Sequence, residues 1–331
     1  MISHTRRSLC RTISLSALWP ALATAAAGKN LRVAILLSGY EAKYVDLDAA
    51  LLAGLRELGY VEGKNLTVDR RYAQLRGDQM LSIASELAGL KPDVIISGCT
   101  GSTRAAMQVT QQIPIVIVSV ADPVGQGFVR SLARPGTNVT GRSSQSRELM
   151  PKMLELLHAA LPAAKRMAVL VNTLNTAHEA LWSDFEEAAF PLGLTPVRVN
   201  VRGPAGLDIA LEQLKSTVAE GLLVLSDDPM SFNLRQRLLD AVSARKLPTL
   251  YGHREFVQDG GFMSYGENFQ DSYQRAGAYV DKLARGAQAA DLPIELPTRF
   301  QLVINLKTAS KLGIAIPRTL LLRADELMPK A

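Results

Sequence analysis

The chain has 331 residues, 47% of them apolar, 21% charged and 5% aromatic, and a formal net charge of +6. At roughly 150 residues per domain this length favours two domains, and the apolar share excludes intrinsic disorder, which needs low hydrophobicity with high net charge. The absence of any run of about 18 apolar residues excludes a polytopic membrane protein, whereas the positive charge leaves an anionic partner such as nucleic acid open until the charges are located.

Arg6, Arg7 and Arg11 precede an apolar stretch from Ile13 to Ala27, which is broken by Pro20 and ends in small residues. A basic start, a short apolar centre and a small-residue end are the parts of a secretory signal peptide. Cleavage near Ala27 and a periplasmic mature protein are therefore expected. The stretch is short for an uncleaved anchor, since a spanning helix takes about 20 residues. Thr5-Arg6-Arg7-Ser8-Leu9 is similar to a twin-arginine export signal, with Sec export as the other route, and Cys10 stands before the apolar run rather than at its end, where a lipobox cysteine belongs. The leader holds three arginines and no acid, so without it the net charge is about +3 and no nucleic acid is needed to explain it. Cys99 is then the single cysteine. It excludes an internal disulfide and reads as a small buried filler in preference to a nucleophile.

Leu31 to Ser38 is a continuous run of branched apolar residues, the signature of a strand covered on both faces. Leu47, Leu51, Leu55 and Leu58 at helical spacing predict a helix over 46–58, stopped by Gly59. Strands over 66–72, 93–97 and 113–120 alternate with helices over 79–90 and 103–112, and this βαβα order implies a parallel, doubly wound sheet. The pattern then recurs. Strand 166–171, helix 177–189, strands 196–201 and 221–226, and Leu247-Pro-Thr-Leu250 mirror the first set at an offset of roughly 130 to 135 residues. That is a domain-sized duplication and not a solenoid, whose periods are about 20 to 50. A strand over 261–265, a long helix over 269–285, a connector over 293–297, and a short strand and helix within 300–328 ending in a turn begun by Pro317 complete the chain. The α/β organisation expected is a signal peptide over 1–27, an N-terminal lobe of 28–142 plus 253–285, and a C-terminal lobe of 143–252 plus 286–331.

In open α/β sheets ligands bind beyond the carboxyl ends of the strands, where helix N-termini present free N–H groups. Gly98-Cys-Thr-Gly-Ser-Thr103 opens a helix after the third strand, and its hydroxyls either cap that helix or bind a carboxylate. Arg104 either adds a cation there or points to solvent. Asp122-Pro123 either takes a ligand amine or forms a turn. In the second copy, Asn172, Asn175 and Thr176 follow the first strand and Asp227-Asp228-Pro229-Met230 the third, so both lobes place an acid-proline pair at a strand end. No dinucleotide fingerprint, phosphate-binding loop or nucleophile elbow occurs, and His158, His178 and His253 lack metal-binding spacing. No catalytic residue, metal or cofactor is expected.

Four segments carry a family resemblance: Asp122-Pro-Val-Gly-Gln-Gly-Phe-Val129, Leu132 to Gly141 (LARPGTNVTG), Arg254 to Val257 with Gly260 to Gly266 (GGFMSYG), and Val303 to Ala309 (VINLKTA). In this order they resemble the substrate-binding proteins of ABC transporters, whose best-known members bind tryptophan or tyrosine, and the resemblance covers about Leu31 to Leu327. It implies a type I periplasmic-binding fold: two Rossmann-like doubly wound parallel-sheet lobes joined by three crossovers and closing on a ligand by hinge motion. It also implies a monomer without enzymatic activity, a small-molecule ligand and an ABC permease in the inner membrane as partner. The family's cleft carries over onto Ser38, Gly39 and Tyr40, the Thr100-Gly101-Ser102-Thr103 helix start, Asp122, and Thr140-Gly141, and across the cleft onto Asn172, Asn175, Asp227, Met230, Tyr251 and Tyr265. In that cleft the helix start would hold a carboxylate, Asp122 or Asp227 an amine, and Tyr40, Tyr251 or Tyr265 an apolar or aromatic body. An aromatic or branched amino acid, or a related carboxylate, is implied. Two departures leave the specificity open: the family's Asn-Pro-x-Asn reads Asn172-Thr-Leu-Asn175, and Cys-Thr-Gly-Ser-Thr replaces an aliphatic or alanine-rich helix start. The alternatives are a Rossmann-type enzyme, disfavoured by the missing phosphate motifs, a lobed transcriptional repressor, which needs a DNA-binding headpiece before the first strand, and a sensor feeding a receptor instead of a permease.

Overall fold

In the computed structural model, which describes residues 30–329, the strand β1 (Leu31–Leu37) is buried on both faces at the centre of the first lobe. The leader lies outside the described residues. β1 runs between β2 (Leu66–Tyr72) and β3 (Val94–Ser97), followed by β4 (Ile115–Val120) and β5 (Val139–Ser143), in the order β2-β1-β3-β4-β5 with every pair parallel. The helices α1 (Val45–Glu57), α2 (Met80–Gly89) and α3 (Thr100–Val109) connect these strands. The second lobe contains α4 (Ser146–Ala160), β6 (Arg166–Asn172), α5 (His178–Ala189), β7 (Thr195–Val201), α6 (Leu207–Ser216), β8 (Gly221–Val224), α7 (Pro229–Asn233), α8 (Arg235–Ala244), β9 (Thr249–Tyr251), α9 (Arg254–Gln258) and β10 (Met263–Gly266). After α10 (Phe269–Ala284) come β11 (Gln301–Asn305), α11 (Leu306–Leu312), α12 (Arg318–Arg323) and β12 (Glu326–Met328), giving a second sheet in the order β12-β11-β10-β9-β8-β6-β7. Two doubly wound α/β lobes are thus present, as the duplication requires.

Three features differ from the sequence reading. β5 and α4 carry no clear sequence signal: β5 reads Val-Thr-Gly-Arg-Ser, yet all five residues are buried, and α4 has Pro151 inside it. α3 begins three residues early, because Cys99 and Ser102 form a reciprocal capping box at its start. Finally, the second sheet is not wholly parallel. The chain re-enters the C-terminal lobe at the end where β10 finishes, so β11 runs back beside β10 as an antiparallel neighbour.

The lobe boundaries also move. β10 pairs with β9 and β11, which puts 253–266 in the C-terminal lobe, not the N-terminal one. Residues 286–295 stay with the N-terminal lobe instead of leaving it: the Gly136 N–H donates to the Ala290 carbonyl, that of Ile294 to Leu132 and that of Glu295 to Gly141. The chain crosses between lobes three times, near 143–146, 266–269 and 295–301.

α10 returns to the first lobe and packs along α1. Leu47, Leu51 and Leu55 meet Tyr273, Ala276 and Val280 in one buried cluster, and the axes approach closely because glycines stand at the crossing. A Cβ on Gly54 would lie 2.1 Å from the Gln274 carbonyl oxygen, and one on Gly277 3.0 Å from the Gly54 backbone. Gly54→Val is therefore expected to cost about 1 to 3 kcal/mol through forced separation of the helices, read as a lower urea midpoint at unchanged slope.

Candidate functional site

The carboxyl ends of the two sheets face each other. Beyond β1, the Tyr40 N–H donates to Asn233 Oδ1 of α7 at 2.8 Å, and the Gly39 backbone lies so close that a Cβ there would stand 2.1 Å from the same side chain. At the start of α3, Thr100 Oγ1 donates to Asp227 Oδ2 at 2.7 Å. Arg104 neither binds an anion nor points to solvent: it donates to Gln126 and, across the cleft, to Thr176 at 3.2 Å. Phe232 of α7 enters the core of the opposite lobe, at 6.0 Å from the Tyr44 ring and 5.9 Å from that of Phe269. The lobes are closed on one another.

Between them is a pocket with Tyr44, Gly98, Cys99, Ser119 and Phe269 on one side and Ser226, Asp227, Asp228, Pro229, Phe232 and His253 on the other. Its cavity of ≈ 10 Å³ has room for about one water. Its character is aromatic walls around a buried acid. His253 lies 5.2 Å from the Phe232 ring and 4.8 Å from that of Phe269. Its Nε2 sits 2.7 Å from the Ser226 carbonyl, which requires the Nε2–H tautomer, and its buried Nδ1 has no partner among the described residues.

The two adjacent acids differ. Asp228 is saturated: it accepts from Asn172 Nδ2 at 3.0 Å, from the Met230 and Ser231 N–H groups and from the Ser231 hydroxyl, so it caps α7. Burial pushes the Asp227 carboxyl up to about 7; the Thr100 hydrogen bond opposes the rise and the Asp228 charge adds to it. Burial likewise pushes the Cys99 thiol up, and its Sγ contacts Ser38 and Ser102 hydroxyls, so it is a neutral filler and cap. His178 is buried, accepts from the Asn172 N–H at Nδ1 and is held neutral by desolvation.

Of the residues carried over from sequence, Asp227 reaches the pocket, and Ser38, Tyr40 and Thr100 stand at its first-lobe edge. Asn175 fixes the Asp227 carbonyl and Asn172 fixes Asp228. The others lie elsewhere. Gly101 is exposed, whereas Ser102 and Thr103 are turned to the Ser97 hydroxyl at 2.7 and 2.8 Å, because they cap α3 against its own strand. Asp122 closes its own turn on the Gly125 N–H and pairs with Arg147, which bears out the turn reading. Thr140 bonds to the Leu292 carbonyl within the N-terminal lobe. Met230 is buried in a core of the C-terminal lobe. Tyr251 is stacked on Phe256 beneath the sheet, and Tyr265 packs against Phe300 on the other face. Tyr251 ends β9 and Tyr265 stands inside β10, and each side chain turns onto a face of the sheet instead of pointing past the strand end. Tyr44, Ser119, Phe232, His253 and Phe269 were missed. His253 had a readable signal, standing two residues past the end of β9.

Residues 40–328 match the sequence profile of the ABC transporter substrate binding protein family. The chain belongs to that family. A tyrosine-binding protein of Clostridioides difficile (strain R20291) is 25% identical over 289 residues, 86% of this chain and 81% of that protein. Among solved structures, an ABC domain from Streptococcus pneumonia in complex with L-Trp is similar at a TM-score of 0.84, with 22% identity over 91% of this chain and 100% of that one. The ligand-free, open structure of a substrate binding protein with adhesive properties from Clostridium difficile gives a TM-score of 0.64, with 25% identity and the same coverage. This substrate-binding protein thus has the type I periplasmic-binding fold, and its membership of a substrate-binding family supports the ligand-binding reading over the Rossmann-type enzyme and the repressor.

The buried acid makes its stability depend on pH. Native Asp227 holds its proton to a higher pH than an unfolded aspartate, whose pKa is about 3.9, so the native state binds more protons between about pH 4 and pH 7 and loses stability as pH rises through that window. Asp227→Asn is expected to remove this component. Urea titrations at about pH 4 and pH 8 should show the wild type losing at least about 1 kcal/mol relative to the variant; a difference that does not change with pH would mean the carboxyl is solvated.

Proposed function

We propose that this protein captures an aromatic amino acid, or a close relative of one, between its lobes outside the cytoplasm and delivers it to an ABC permease in the inner membrane. The observation that carries this reading is the composition of the interlobe pocket. Tyr44, Phe232, Phe269 and His253 offer ring faces to an apolar body, and Asp227 offers a carboxylate that an ammonium group would stabilise in its charged form. Two similar proteins, the tyrosine-binding protein and the domain in complex with L-Trp, carry names with ligands of this class.

Hinge closure accounts for the remaining geometry. With the lobes closed the cavity has room for about one water, so a ligand enters only after Thr100 parts from Asp227, Tyr40 from Asn233, and Phe232 withdraws from Tyr44 and Phe269. Re-closure then forms around the ligand. The closer similarity to the L-Trp complex than to the open ligand-free protein, despite lower identity to the former, supports the view that the lobes of this fold swing relative to one another. In this reading the protein acts as a monomer, without catalysis, cofactor or metal, after removal of the leader near Ala27. Among the described residues no helix is long and apolar enough to cross a membrane.

Calorimetry and thermal-shift titration with L-tyrosine, L-tryptophan and L-leucine test it. Saturable binding of an aromatic amino acid is expected, with stabilisation of about 2.7 kcal/mol at a hundredfold excess over Kd. Phe232→Ala should weaken that binding at least about tenfold. Absence of both heat and shift with all three ligands would remove the amino-acid assignment.

A further inference from the structure

In the closed state the donors at the strand ends of the N-terminal lobe are occupied by the other lobe. Thr100, the first residue of α3, donates from Oγ1 to Asp227 Oδ2 at 2.7 Å, and the backbone of Ala121, just past β4, adds a hydrogen bond to the same carboxyl. The Tyr40 N–H, beyond β1, is taken by the amide oxygen of Asn233. Asp227 and Asn233 belong to the C-terminal lobe, so all three bonds break when the cleft opens. Thr100 and Asp227 are buried by closure, each polar group facing its partner on the opposite lobe, and parting the lobes opens both to a ligand.

The place on Thr100 and Ala121 suits a carboxylate, and it already holds one. A hydroxyl, a backbone N–H and the positive end of a ten-residue helix meet there. Asp227 itself fits it poorly, because burial and the adjacent Asp228 charge both disfavour its ionised form. An incoming carboxylate that displaced it would leave Asp227 without these donors and beside a like charge in a desolvated cleft. An ammonium on the same ligand removes that penalty.

We propose that Asp227 is a built-in competitor that sets the ligand class: in the unliganded closed state it fills the place on Thr100 and Ala121 that a ligand carboxylate takes, and it yields only to a carboxylate that brings an ammonium for it. Plain monocarboxylates with the same aromatic body are thereby excluded. The inference rests on the reading of the cleft as an amino-acid site and adds how that site rejects the acid without the amine.

Calorimetry with L-tyrosine, with 3-(4-hydroxyphenyl)propanoate, which lacks only the ammonium, and with tyramine, which lacks only the carboxylate, tests it; L-tryptophan, indole-3-propanoate and tryptamine form the matching set. The propanoates are expected to bind the wild type at least about a hundredfold more weakly than the amino acids. Asp227→Ala should weaken the amino acid and strengthen its propanoate, each at least about tenfold. These opposite signs are the signature, since a merely structural loss would weaken both. Asp227→Asn, which keeps a hydrogen-bond acceptor for Thr100 but no charge, should move both ligands the same way, the propanoate by less, and serves if the alanine variant does not fold. Thr100→Val should weaken the amino acid at least about tenfold and tyramine by less. A propanoate that gains nothing from either Asp227 substitution, while the amino acid still binds the wild type, would overturn the competitor and leave the amino-acid reading standing. Failure of both amino acids to bind the wild type would overturn that reading and this inference together.

Discussion

Three passages of chain between the lobes form the constraint on which the rest depends. A single linker would let two α/β units tumble, but three strands side by side allow them to pivot and not to slide or separate. The passages are also tied together. Arg142, at the start of the first, pairs with Glu295 at the start of the third at 2.9 Å. Glu267, in the second, is buried and accepts from Ser119 of β4 and Ser272 of α10, with desolvation raising its pKa. The same connections bring the carboxyl ends of both sheets face to face, so the groups that strand ends in open α/β sheets offer to a ligand come from two directions at once.

The adjacent carboxylates Asp227 and Asp228 show how position and not residue type sets a role. Asp228 is surrounded by donors from its own lobe, an amide side chain, two N–H groups and a hydroxyl, and is spent on holding α7 in place. Asp227 reaches across to the other lobe and has Thr100 as its side-chain donor there. It is the member of the pair whose surroundings change when the hinge moves. Closure and the protonation of this one carboxyl are thus coupled, since a charge that is tolerated in an open, wet cleft is penalised in a shut one.

The duplicated sheets were legible because buried parallel strands are continuous apolar runs, and Leu31 to Ser38, Arg166 to Val171 and Gly221 to Ser226 stand out at once. β5 was not, since Val-Thr-Gly-Arg-Ser owes its place to Gly141, whose φ of 125° and contact of 2.2 Å between a would-be Cβ and the Ile117 carbonyl leave no room for a side chain. The error over 253–266 has a similar origin. A strand pattern tells that β10 exists but not which sheet receives it. At the site, the strand-end rule located the cleft correctly and found Asp227. It failed at Tyr251 and Tyr265 because their side chains turn onto the faces of the sheet, against Phe256 and Phe300, while the groups in the pocket, His253 and Phe232, come from the turns and the short helix after the strands. Phe232 has no local signal, because its burial depends on the opposite lobe.

The return of α10 to α1 also sets an order of assembly. The apolar stripe of α1, Leu47, Leu51 and Leu55, has its cover more than two hundred positions later in the chain, whereas α4 to β10 form most of the second lobe from one uninterrupted segment. Closing so long a loop is entropically costly and slow. The lobe that leaves the ribosome first therefore finishes last: it waits, with one helix face bare, until the second lobe has been made and the chain has come back.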